Sequence, residues 1–211
     1  MATRTPGASG RAGLDRQSVV AAAAALADAR GMENVTLSGL ADHLGIRTPS
    51  LYNHIPSLAA LRRELALFAL LDLTAQMRDA LHGQTGEPGL LAFADAYRAY
   101  ALKRPGLYAA IARGAGPADD PALAAAGQAL VDLSLDVLRG FGLTGPDALH
   151  AVRGLRSLVH GFVSLELMGG FGLPLSLDAS FAALIDTFTA GLQAQSPSPD
   201  IATSGATYPA S

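Results

Sequence analysis

Apolar residues along the chain recur at intervals of three and four positions, and the blocks they form are separated by short stretches of Gly, Pro, Ser, Thr and Asp. Ala and Leu dominate the blocks while β-branched residues are sparse, so the pattern predicts an all-α chain with no strand. Capping chemistry marks the boundaries. A first helix is expected over 15–30, burying Val19, Val20, Ala23, Leu26 and Ala27, with Gly31 as its left-handed stop. Thr36 caps a second over 37–44, closed by Gly45. Thr48 stands where it would cap a very short third helix, with Pro49 in its first turn and Ile55-Pro56 at its end. Ser57 caps a long fourth over about 58–82, whose Leu61, Leu65, Phe68, Leu71 and Leu73 are expected to face a core. After a linker-like stretch at 83–87, helices follow at about 88–103, 105–113, 121–140, 146–168 and 177–194. Pro88, Pro105, Pro121 and Pro146 occupy first-turn positions, and Ser176 caps the last helix. Residues 1–13 and 196–211 hold too few large apolar groups to offset ordering entropy and read as a disordered arm and tail.

Composition narrows the class. The chain has 211 residues, half of them hydrophobic, enough for a real core in one or two domains. Its formal net charge of -3 conceals an asymmetry: residues 1–63 carry seven basic and four acidic side chains, net +3, and the rest eight against fourteen, net −6. A positive front on a negative body is what a nucleic-acid contact made by one end would look like. The absence of cysteine removes disulfide frameworks, thiolate metal sites and cysteine nucleophiles. The N-terminus lacks the apolar stretch of a signal peptide, and no apolar run reaches the ~20 residues of a membrane helix, so a cytoplasmic protein with no membrane partner is expected.

Residues 36–55, TLSGLADHLGIRTPSLYNHI, form two short helices joined by a tight turn at Gly45, with a third helix before them. That is the geometry of a helix-turn-helix. Leu37, Leu40, Ala41 and Leu44 are spaced to pack against Leu51 and Ile55, which leaves Thr48, Ser50, Asn53 and His54 outward. Small hydrogen-bonding side chains at the start of an exposed helix suit the major groove, where base edges carry a readable donor and acceptor code.

At these residues the chain resembles the tetracycline-repressor (TetR) family of bacterial regulators. The resemblance lies in Val35-Thr36-Leu37, Leu40-Ala41, Leu44-Gly45-Ile46 and Pro49-Ser50-Leu51-Tyr52-Asn53-His54-Ile55-Pro56-Ser57, and covers 15 to about 64. It implies that Thr48, Pro49 and Ser50 approach bases and that Tyr52 and His54 bind phosphates, with Thr36, Arg47 and Asn53 also on the DNA side. At Leu58 the chain departs from the many members that carry a basic residue there. A second resemblance, to a TetR-associated C-terminal domain with a His-Gly signature, lies in Tyr97, Lys103-Arg104-Pro105-Gly106-Leu107-Tyr108, the stretch from Leu155 to Gly161-Phe162 around His160, Leu165-Glu166 and Gly169 to Gly172. Together these imply an arm at 1–13, a three-helix DNA-binding module at 14–56, a larger helical ligand-binding and dimerisation domain at 57–195, and a tail at 196–211. The implied partners are a palindromic double-stranded operator, a second copy of the chain and a small apolar or aromatic effector. Phe68, Tyr97, Tyr100, Tyr108, His160 and Phe162 are candidates to line an effector cavity. Leu155, Leu158, Leu165, Phe181, Leu184, Ile185 and Phe188 offer apolar faces shared between a dimer interface and the core.

Plainer readings compete at several of these positions. Tyr52 alone is more often a packing residue, Arg47 is as readily a solvated arginine, and Arg4, Arg11 and Arg16 form either a backbone-tracking arm or an ordinary basic tail. His160 fits a hydrogen-bonded core histidine, and helically spaced aromatics are usually core. No metal or cofactor is expected: Asp147 and His150 have ligand spacing, but the four Glu are too few for a di-iron set. Gly140-Phe-Gly142-Leu-Thr-Gly145 matches the dinucleotide fingerprint in letters only, since a helix precedes it and Pro146 follows. The rival outside the regulator class is a helical small-molecule carrier or enzyme without DNA binding.

Overall fold

Asp15 opens the first helix by a reciprocal cap: its carboxylate accepts from the Ser18 N–H at 2.7 Å while the Ser18 hydroxyl accepts from the Asp15 N–H at 3.0 Å. In the computed structural model, which describes residues 14–112 and 120–195, helix α1 (Arg16–Arg30) follows this cap and stops at Gly31, whose φ is +87°. The arm and tail expected at 1–13 and 196–211 lie outside the described residues. A 3-10 turn (Met32–Asn34), which the periodicity did not predict, leads to α2 (Leu37–Leu44), then α3 (Thr48–Leu51), α4 (Leu58–Leu81), α5 (Gly86–Lys103), α6 (Pro105–Ala112), α7 (Pro121–Leu138), α8 (Gly145–Leu167) and α9 (Leu177–Gln195). Among the described residues there is no strand, and the fold is all-α as the pattern required.

Several details differ from expectation, and one is that α3 ends at Leu51 instead of reaching Ile55-Pro56. The N-cap of α3 is Arg47, with no side-chain cap bond, and Thr48 is already helical, so Pro49 falls one position later than the sequence suggested. Along α4 the buried face follows Leu61, Leu65, Ala69, Leu73, Met77 and Leu81, a strict four-residue step, which leaves Leu71 55% exposed. Length and apolar composition alone would also let Pro121–Phe141, 22% of it buried, cross a bilayer, contrary to the expectation that no stretch is long enough.

The chain divides into two compact units. The first holds 14–69 together with 104–112 and Asp120, the second 70–103 and 121–195. In the first, α1 supplies Val19, Val20, Ala23, Ala24, Leu26 and Ala27 to a core completed by Leu40, Leu51, Ile55, Leu61 and Leu65. Helix α6 packs on α1 within this unit. In the second, α5, α7, α8 and α9 bury Leu90, Tyr100, Leu138, Leu155, Val163 and Phe181.

Candidate nucleic-acid interface

The turn between α2 and α3 fixes the geometry of the interface. Gly45 is left-handed (φ +67°, ψ +29°); its N–H donates to the Asp42 carbonyl at 3.1 Å and the Ile46 N–H to the Ala41 carbonyl at 3.0 Å, which satisfies the last carbonyls of α2 and turns the chain sharply. A side chain at Gly45 would strain this conformation. Leu40, Ala41, Leu51 and Ile55 are all at most 1% exposed, so α2 and α3 are locked together by their apolar faces as the spacing predicted.

What remains outside is polar. Arg47, Pro49, Ser50 and Asn53 are exposed, Thr48 and His54 half-buried, and Tyr52 stands 51% exposed despite its large ring. Thr36 is exposed too, and its hydroxyl is engaged: Oγ1 accepts from the Gly39 N–H at 3.0 Å as the cap of α2. The eight residues singled out in sequence therefore lie in the first unit at or beside one helix-turn-helix. Asp15 is charge-coupled to His54; its carboxyl is held below the usual carboxylate range chiefly by the Ser18 N–H, with the nearby His54 a smaller contribution.

Behind this face lie contacts that sequence reasoning missed. Asp28, near the end of α1, accepts from Arg104 Nε at 2.6 Å and from the N–H groups of Gly106 and Leu107 at 3.0 and 3.1 Å, so it caps α6 from another helix. Gly106 makes that approach possible: a Cβ there would stand 2.2 Å from the backbone of Ala27. A signal was present in Lys103-Arg104-Pro105-Gly106, a helix start with no local Ser, Thr, Asp or Asn to cap it. On α4, Glu64 accepts from Arg16 at 2.7 Å and from Arg63, and Arg63 reaches Asp120 with a second pair of donors. Hydrogen bonding to Asp120 and then Glu64 holds the Arg63 guanidinium above its ordinary range.

The other predicted residues are dispersed. Tyr108 is buried and Phe68 half-buried in the first unit; Tyr97, Tyr100 and Phe162 are buried and His160 half-buried in the second. Phe162 packs with Phe181 at a centroid distance of 5.0 Å, which puts a residue expected at a ligand and one expected at an interface into the same cluster. Burial, with Arg156 a smaller cause, pulls the His160 imidazole below its usual value. Of the residues expected to share an interface with the core, Leu155, Phe181 and Ile185 lie inside the second unit at 2% exposure or less, with no surface left for a second chain. Leu158, Leu184 and Phe188 instead line an open groove of about 260 Å³ with Thr187, Gly191 and Leu192, and Leu165 is 44% exposed. Among the described residues no cluster of His, Asp or Glu has the makings of a metal site.

Known proteins share this arrangement. Residues 19–65 match the profile described as bacterial regulatory proteins, tetR family, and residues 90–188 that of a tetracyclin repressor-like C-terminal domain. The uncharacterized HTH-type transcriptional regulator Rv0681 of Mycobacterium tuberculosis is 34% identical over 180 residues, spanning 85% of this chain and 82% of that protein. The uncharacterized HTH-type transcriptional regulator YobS of Bacillus subtilis is 37% identical over 184 residues, spanning 86% and 94%. Among solved structures, a protein of unknown function from Rhodococcus sp. RHA1 aligns with a TM-score of 0.74 at 25% identity over 87% of this chain and 97% of its own. A TetR variant from Acinetobacter baumannii AYE, solved in complex with minocycline, aligns with a TM-score of 0.61 at 24% identity over 88% and 100%, a likeness of fold.

Proposed function

The chain belongs to the tetR family of bacterial regulatory proteins, and from that premise we propose that this DNA-binding transcriptional regulator acts as a dimeric repressor, bound to a palindromic operator and released by a small apolar or aromatic effector. It is a regulator and not an enzyme. The observation that carries the reading is the outward polar surface of α3 and the turn after it: a 51%-exposed Tyr52 at the C-cap beside exposed Ser50 and Asn53, with Leu51 and Ile55 buried behind them. Water gains nothing from a tyrosine displayed this way, whereas a phosphate accepts a hydrogen bond from its hydroxyl while Thr48 and Ser50 meet base edges.

The groove along α8 and α9 supports dimerisation, because Leu158, Leu184 and Phe188 keep apolar surface there that the second unit does not use. Two-fold pairing there would present two α3 helices to successive major grooves about 34 Å apart, hence an inverted repeat. An effector among the helices of the second unit is the reading for Tyr97, Tyr100, His160 and Phe162, by analogy with the minocycline complex of the structural relative. Acting on DNA, the protein works in the cytoplasm.

The test is selection of genomic fragments by the purified chain, followed by gel shifts. The expected outcome is an inverted repeat bound with an affinity that falls steeply with salt. Thr48→Ala and Ser50→Ala should alter preference at particular bases by about 1 to 3 kcal/mol, while Tyr52→Phe and His54→Ala should weaken all sequences alike. Recovery of no site tighter than random duplex at low salt would overturn the reading.

A further inference from the structure

One side chain fastens both ends of the connection between α8 and α9. Arg98, on α5, donates from Nε and Nη2 to the two carboxylate oxygens of Glu166, in the last turn of α8, at 2.8 and 2.7 Å, and from Nη1 to Asp178, in the first turn of α9, at 2.8 Å. Its guanidinium lies 5.7 Å from the centre of the Phe162 ring and 5.1 Å from that of Phe181. The connection is also held along its length: Phe171 packs on Phe162 at 4.8 Å, the Gly170 N–H donates to the Leu165 carbonyl at 2.7 Å, and the Leu175 N–H to that of Leu173 at 2.8 Å. Yet this well-anchored segment turns its apolar side chains outward. Met168, Leu173 and Leu175 are 73%, 76% and 69% exposed. Burying them would gain roughly 25 cal/mol per Å² of apolar surface, and patches of several hundred Å² on soluble proteins mark interaction sites.

We propose that residues 168–175 form an apolar arm that docks on a second copy of the chain and extends the α8–α9 interface, an inference that rests on the dimeric reading above. Continuity identifies the occupant. On α8 the positions Gly154, Leu158, Gly161 and Leu165, and then Met168 at its C-cap, none of them fully buried, step by four, three, four and three, so a single stripe runs from the groove to the root of the arm. Size points the same way. The half-exposed Leu158, Leu184 and Phe188 are few for the roughly 800 Å² per partner that a stable interface buries, and the arm adds three largely exposed apolar side chains to them. The arm, MGGFGLPL, contains no charged residue and brings no unpaired charge into the contact.

The experiment uses the full chain, whose lack of cysteine makes Leu173→Cys the sole attachment point for a polarity-sensitive fluorophore. Sedimentation of a variant with Met168→Ser, Leu173→Ser and Leu175→Ser, its helical circular dichroism unchanged, should give a dimer dissociation constant raised at least tenfold. The label should report an apolar environment in the dimer and water on dilution or in a Leu184→Glu background. A wild-type chain that sediments as a monomer at micromolar concentration overturns the dimeric reading and the arm with it. A wild-type dimer that the three serines leave within twofold of its original dissociation constant overturns the arm alone, as does a label that stays solvated in the dimer. A label that shifts only when vesicles of anionic lipid are added would make the segment a membrane contact and would also overturn the proposal.

Discussion

Arg98 spends its donors on two carboxylates in different surroundings, and the difference sets what each is worth. Glu166 is 11% exposed and takes two parallel bonds, whereas Asp178 is 87% exposed and takes one. Hydrogen bonding to Glu166 outweighs burial and keeps the Arg98 guanidinium above its ordinary range. Glu166→Ala should therefore cost about 3 kcal/mol by leaving a largely buried cation with only its exposed Asp178 leg, and Asp178→Ala less than about 1 kcal/mol because water already screens that leg. Urea unfolding midpoints decide it, and equal losses would refute the burial argument. His160 offers a second test. Burial lowers its pKa in the folded chain below the unfolded value of about 6.5, so the unfolded state binds the proton more readily. Its neutral form is compatible with full stability above about pH 6.5, and stability should fall as the pH drops from there toward the lower folded value. His160→Gln should flatten the pH dependence of the melting temperature in that window. The sequence made His160 legible as a half-apolar histidine on a helix, but Arg98 could not be read: its partner is 68 residues away, and nothing local marks an arginine as the centre of a cluster.

Helices were legible wherever the chain caps itself. Asp15, Thr36, Ser57 and Ser176 each hold an N–H three residues on, and the starts of α1, α2, α4 and α9 fall beside them. Helix α6 was placed by Pro105, but what closes its first turn was hidden. Its cap is Asp28, 78 residues before Gly106, so the chemistry that closes its first turn belongs to packing rather than to its own neighbourhood. The same holds for the missed register of α4, where periodicity admits Leu71 and Leu73 equally and only the packed core excludes Leu71. Docking of α6 on α1 is also the more fragile contact, because it needs bare backbone. Gly106→Ala would drive a methyl into the Ala27 carbonyl, lift α6 from α1 and stretch the Asp28 bonds together. A loss of about 1 to 3 kcal/mol is expected, with accelerated hydrogen exchange at Gly106 and Leu107. Protection at those amides equal to wild type would mean that α6 keeps its place without the close approach.

At the scale of the whole molecule, the charge pattern and the packing division carry different information. Net +3 over residues 1–63 was legible as the DNA-facing end, but a unit that joins 14–69 to 104–112 and Asp120 cannot be drawn as a boundary along the sequence. One helix, α4, contributes residues to both units, and α6 belongs by its contacts to the unit that carries α3. The unit that holds α3 is therefore continuous in chain with the second unit through α4 and through the junction of α5 with α6. An effector bound among the later helices can release the operator only through a difference in its affinity for the DNA-free and DNA-bound forms. Linkage makes that difference measurable from either side. Any compound that weakens operator binding tenfold must itself bind the operator-bound protein tenfold more weakly, a coupling of about 1.4 kcal/mol. Titration calorimetry with and without saturating operator measures it directly. Compounds from an apolar and aromatic library that raise the melting temperature of the free protein while leaving operator affinity unchanged would show a protein that binds ligand and DNA independently, and its DNA binding would then be constitutive.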